Sequence, residues 1–355
     1  MKHLILVASI AFATILGSCS KDDSSVKQLS QADAKVELQK VSSNFGAEYK
    51  TMQQNKGIKA LVTLSEIADK GLLPSSFASI ASLEAVKSSL SPLRNPIAPV
   101  LKGSETPFDF NKKGKYTYTN GKFEFSTTTT KDIVIAFPTE GSTKNNAELT
   151  LSKYAEIYVA AQEANVPTQI EANLTVDNVT VFKISYNAAF GELLKGLGTN
   201  GVASADLSMS FAPYTLESHD KVSMNQGKAV ATSSTSFKNG NQQLVSTQET
   251  FNISLNEKTK DVAFNGDVAL QINNLKLEGK LSLAYNMDGD FDYKDIDINK
   301  AIKLAAFTFP AGDKIGDIIA NKDKQGKITP MIVYGDGTKE SLLTYFNSWF
   351  GNINK

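Results

Sequence analysis

Asp288-Gly289-Asp290-Phe291-Asp292 sets carboxylates at alternate positions, the oxygen-rich arrangement a hard cation such as Ca²⁺ requires. An EF-hand loop needs Gly at its sixth position and Glu at its twelfth. Counted from Asp288, those positions hold Tyr293 and Asn299, so the pattern fails. The stretch reads instead as an acidic turn entering the N-terminus of a following helix, where negative charge is favourable. No metal site is expected. His219-Asp220 is the single His–acid neighbour pair. A triad needs a nucleophile held against the His, and no Gly-x-Ser-x-Gly elbow is present. His219 therefore reads as a polar loop residue. No phosphate-cradling Gly-x-x-x-x-Gly-Lys and no Gly-x-Gly-x-x-Gly occurs either. Carboxylate pairs of the glycosidase kind meet in space rather than in sequence, so the sequence names no specific pair. No catalytic residue and no cofactor is assigned.

The inventory narrows the chemistry further. The chain contains 37 Lys+Arg against 37 Asp+Glu, 2 His, 1 Cys and 1 Trp. Balanced charge gives no electrostatic footprint for nucleic acid. A single Cys, Cys19, excludes a disulfide or a Cys-based zinc site within one copy. Trp349 alone makes a poor aromatic platform for sugars.

The first 23 residues say where the protein acts. Lys2 and His3 give a short polar start. Leu4 to Ile15 is apolar except for Ser9 and Thr14, and Leu16-Gly17-Ser18-Cys19 precedes an abrupt turn to Ser20-Lys21-Asp22-Asp23. Charged start, short greasy run and small residues make a secretory signal. The run is too short to span a bilayer, which takes about 20 residues. Leu16-Gly17-Ser18-Cys19 resembles the lipobox of bacterial lipoproteins, with Gly17 where Ala or Ser is usual. The resemblance implies cleavage before Cys19 and acylation of its thiol and new amine by palmitate-type chains. The Lys21-Asp22-Asp23 run resembles the acidic surface-export tag of Bacteroidota lipoproteins. Together they imply a lipid anchor in the bacterial outer membrane, on the cell surface.

The elements that would position any site follow in order. Residues 1–18 form the signal peptide and 19–29 a flexible tether. Residues 30–91 read as helical. Ser30 caps a helix with Asp33 at the capping-box position, and Ala34, Leu38, Val41, Phe45, Tyr49 and Met52 make one stripe. Ile58 to Ala68 suggests a second helix and Phe77 to Leu90 a third. Residues 92–107, with Pro92, Pro96, Pro99 and Pro107, form a strap. Residues 108–355 form a β-rich domain with C-terminal helices. Tyr116/Tyr118, Asn120-Gly121 and Phe123/Phe125 make a hairpin signature. Alternation continues at Ile133/Ile135/Phe137, Leu149/Leu151, Leu174/Val176, Val179/Val181, Leu207/Met209/Phe211, Phe251/Ile253/Leu255, Val268/Leu270/Ile272 and Leu281/Leu283/Tyr285. Helices are expected at Ala188–Leu197, Asp295–Phe307, Ile315–Ile319 and Leu342–Trp349, with a strand at Ile328–Tyr334 and a turn at Asp336-Gly337.

The expected fold class is α+β: N-terminal helices, a large curved antiparallel sheet of half-barrel or sandwich-like form, and C-terminal helices packed on it. The expected function is a non-catalytic envelope lipoprotein that binds a small-molecule, glycan or protein ligand, and no nucleic acid. A lipid or lipoprotein carrier, with a cavity between sheet and helices, is the first alternative. A carboxylate-based hydrolase is the second.

Overall fold

The structure is a computed structural model, and it describes residues 26–67, 112–127, 130–159, 164–192, 200–256, 259, 261–286, 297–322 and 328–346. Cys19, Lys21, Asp22 and Asp23, the third expected helix, the strap and Asp288 to Asp292 lie outside the described residues. The protein is mostly β. Sixteen strands form one open sheet, with β2 and β16 at its edges. Neighbours pair antiparallel except β1 and β3, which run parallel.

The helices come first. Helix α1 (Gln31–Gln53) starts where the Ser30 hydroxyl accepts from the Asp33 amide at 3.2 Å and donates to the Asp33 carboxylate at 2.6 Å. Its stripe of Ala34, Leu38, Val41, Phe45 and Met52 is buried, as the three-to-four spacing predicts. At about 1.5 Å per residue this helix is long enough to cross several strands. Helix α2 (Lys56–Ile67) follows after a turn centred on Asn55.

The sheet begins with β1 (Gly114–Thr119), β2 (Lys122–Ser126), β3 (Ile133–Phe137), β4 (Ala147–Val159), β5 (Ala164–Val176) and β6 (Val179–Ala189). It continues with β7 (Gly201–Phe211), β8 (Tyr214–Asn225), β9 (Lys228–Asn239), β10 (Gln242–Asn256), β11 (Asp261–Ile272) and β12 (Leu275–Asn286). A single helical turn, α3 (Ile298–Ala301), leads to β13 (Ile302–Thr308), β14 (Lys314–Lys322), β15 (Ile328–Val333) and β16 (Lys339–Ser341), and α4 (Leu343–Phe346) follows. The expected Asn120-Gly121 turn is present, with φ of 49° and 83°, as a type I′ hairpin needs.

Several expectations are corrected. The helix expected at Asp295–Phe307 stops after one turn, because Ile302, Leu304 and Ala306 alternate inward against Leu281, Gly279 and Leu277 of β12. Gly279 permits the close approach: a Cβ there would run into the Lys303 carbonyl. The helix expected at Ile315–Ile319 is strand β14, paired on both sides. Of the helix expected at Ala188–Leu197, Ala188 and Ala189 end β6, Gly191 and Glu192 make a 3-10 turn, and residues 193–197 lie outside the described residues. Strands, not helices, therefore extend the C-terminal side of the sheet. The strand at Ile328 and the turn at Asp336-Gly337 agree with the sequence.

One face of the sheet carries the core. On β7 and β8 the inward residues are Ala205, Leu207, Met209, Phe211, Tyr214 and Leu216. Helix α1 packs over β12 and β14, and α2 over β5 and β6. The start of α1 is tied to the far strands: Leu29 N donates to Lys314 O at 2.9 Å, and Lys35 pairs with Glu340 at 2.8 Å. Its other end is tied to the hairpins of the middle strands. Glu48 accepts from Tyr214 Oη at 2.7 Å and Asn239 Nδ2 at 2.6 Å. Asn55 accepts from Gly57 N at 2.8 Å and donates to Ala212 O at 2.9 Å.

Candidate functional site

Strands β8 and β9 fall where the sequence reading marks no strand, and they form the middle of the candidate site. Their outward positions are mostly polar, with Ser, Thr, His, Lys, Glu217 and Asn225 beside Val230, and apolar residues are sparse between Leu216 and Phe237. Alternation of apolar residues is the signal by which strands are recognised, and here it fades. They are strands because β7 and β10 supply long partners on either side.

The polar face of the sheet dishes between β7 and β13 into an open trough of about 1060 Å³. Two rows of outward side chains line it, running across the strands. One row is Asp206, His219, Ser234, Gln248, Ala269 and Glu278, each opposite the next. The other is Ser204, Lys221, Thr232, Thr250, Asp267, Lys280 and Lys303. Both rows stand on central strands whose backbone groups are bonded on each side, so the platform is fixed while the side chains reach solvent.

His219 is a strand residue, not the loop residue expected. Strand neighbours point to opposite faces, so His219 and Asp220 do not meet side by side. His219 Nδ1 instead lies 2.7 Å from Asp206 Oδ1 on the adjacent strand, with both side chains more than half exposed. A pair this exposed adds well under about 1 kcal/mol. The other ion pair within the trough is Lys276–Glu278 at 2.5 Å.

Behind the trough floor lies a polar band on the apolar face. Asp220 on β8 faces Ser233 on β9, and Ser233 faces Glu249 on β10. Ser218, Thr247 and Glu249 are buried, and the Ser218 and Thr235 hydroxyls meet at 3.1 Å. Burial pushes the Glu249 carboxyl up to about 7, and the charge of Asp220 adds to the rise. Asp220 is raised as well, by burial first, while the hydroxyls of Ser233 and Ser218 pull it back down. The Tyr186 phenol, on β6, is also raised by burial and by Asp220. Among the described residues, Tyr186 Oη and Asp220 Oδ2 have no hydrogen-bond partner. Sequence reasoning could not find this group, because its members come from four separate strands and meet only through the tertiary structure.

The described residues contain no cluster of three or more His, Cys, Asp or Glu side chains that could hold a metal, and none of their helices is long and apolar enough to cross a membrane. Compared with known protein families, with curated proteins and with solved structures, the chain matches none.

Proposed function

We propose that this protein is a non-catalytic binding lipoprotein, anchored through Cys19 in the bacterial outer membrane with its body at the cell surface, and that it takes its ligand on the polar face of the sheet. The observation that carries the reading is the trough between β7 and β13. It gathers hydroxyl, amide and charged groups from seven neighbouring strands onto a rigid floor, which suits a polar ligand recognised by hydrogen bonds. The lipobox-like start and the Lys21-Asp22-Asp23 run support the placement.

The test is binding by the mature lipidated protein in detergent micelles against an array of neutral and acidic oligosaccharides. Binding by at least one class is expected. It should be lost in Ser234→Trp and Thr250→Trp, which fill the trough, and kept in Lys59→Glu on the exposed side of α2. Binding unchanged in both Trp variants, or no binding at all, would overturn the reading.

A carboxylate-based hydrolase is the second reading. Asp220 and Glu249 favour it, since a carboxyl raised to about 7 can act as an acid at neutral pH. Both border the trough at its floor but carry their side chains on the core face, so substrate would have to reach the opposite side of the sheet. Release of reducing ends from the array sugars, lost in Glu249→Gln, would support this reading over simple binding.

A further inference from the structure

The charges in the trough do not cancel. Two of its charged groups are matched: Asp206 by His219 when that ring is protonated, and Glu278 by Lys276. What remains on the open face is Lys221, Lys280 and Lys303 against Asp267, while Asp220 and Glu249 border the trough from behind its floor, where burial favours their neutral forms. None of these three lysines makes an ion pair among the described residues, and all three side chains are exposed. Lys280 and Lys303 moreover sit directly opposite each other on β12 and β13. Like charges in direct cross-strand register are unfavourable. Asp267 stands opposite Lys280 on its other side, so Lys303 at the end of the open trough is the lysine left facing a like charge with room for a negative group beside it.

We propose that the ligand of this trough is an acidic oligosaccharide, laid across the strands along the line from Lys221 to Lys303. This rests on the binding reading above and names its ligand class. Extent fits an oligomer: from β8 to β13, at about 4.8 Å per strand, the line runs on the order of 24 Å. Between the lysines the same line presents the hydroxyls of Thr232 and Thr250, which suit a hydroxyl-rich chain, and the Asp267 carboxylate, which can accept from a sugar hydroxyl. A bound peptide strand is disfavoured, because β7 to β13 are central and offer no free edge. Single-stranded nucleic acid needs aromatic stacking platforms, and Phe307 is the one Phe, Tyr or Trp in the lining. The same shortage disfavours neutral sugars, which leaves charge and hydrogen bonding as the means of recognition.

The experiment is titration calorimetry on the mature lipidated protein in neutral detergent. The probes are a heparin-derived hexasaccharide, hexagalacturonate and maltohexaose. One or both acidic sugars should bind, with affinity falling as salt rises, and maltohexaose should bind at least tenfold more weakly. Lys280→Gln/Lys303→Gln should weaken acidic binding by about tenfold. A fold control accompanies it: Lys303→Glu places an opposite charge beside Lys280, so it should melt no lower than wild type while still losing acidic binding. Equal binding of neutral and acidic sugars, or acidic binding indifferent to the double variant, would overturn the acidic assignment. If such binding is still abolished by Ser234→Trp, the trough reading itself survives. Absence of binding to every probe overturns both.

Discussion

Asp220 and Glu249 flank Ser233 on one line across β8, β9 and β10, both on the face that carries the apolar core. Two carboxylates so placed cannot both ionise cheaply in a site of low dielectric. The line therefore couples the stability of the sheet to pH.

The sign follows from Glu249. Its carboxyl is raised from 4.5 to about 7 in the folded chain, so between those values the folded state binds more protons than the unfolded one. Stability is then full below about 4.5 and falls as pH rises toward 7 and above. The displacement corresponds to an upper bound of about 3 kcal/mol. Glu249→Gln should remove most of this dependence and stabilise the protein at pH 8 by roughly 1–3 kcal/mol. Urea unfolding of wild type and variant at pH 5 and pH 8 checks it. Equal midpoint shifts for the two proteins would contradict the assignment.

Asn55 joins the helices to the sheet, capping α2 while donating to the β7–β8 turn. Asn55→Ala should cost about 2 kcal/mol, combining a lost cap with lost hydrogen bonds. Asn55→Asp separates the two roles. Aspartate caps equally well, yet its carboxylate would face the Phe211 and Ala212 carbonyls. It should be no more stable than the Ala variant; recovery to wild-type stability would show that the tie to the turn contributes nothing.

Gly279 lies on β12 against β13, and a Cβ there meets the Lys303 backbone. Backbone cannot swing aside as a side-chain tip can. Gly279→Ala should therefore destabilise by about 3 kcal/mol or more, at or beyond the upper end of ordinary overpacking. A chemical-denaturation midpoint within error of wild type would be the contrary result.

Anchoring should depend on Cys19, because its sulfur is the acylation point in the lipoprotein pathway that the signal resembles. Cys19→Ser is expected to give an uncleaved, unacylated precursor, read by fatty-acid labelling. Replacing Lys21, Asp22 and Asp23 together by Ala should preserve the label but remove the protein from protease reach on whole cells. Unchanged shaving would mean that the two acids serve only as linker charge.

The sequence by itself determined the local elements whose signals are short in range. Ser30 and the stripe from Ala34 to Met52 define α1, Asn120-Gly121 defines a hairpin, and Ile133 to Phe137 defines a buried strand. Each depends on residues a few positions apart, so one segment carries its own evidence. Tertiary structure decided the rest. Ile302 to Thr308 can alternate as a strand or form a further helical turn, and pairing with β12 selects the strand. The outward Ser, Thr and Lys residues of β8 and β9 look like loop until long neighbours pair with them. Register also separates His219 from Asp220, which are adjacent in sequence, and aligns Asp220 with Glu249, which are distant. A strand sends neighbouring side chains to opposite faces, so which residues share a surface follows from pairing between strands and not from their order along the chain.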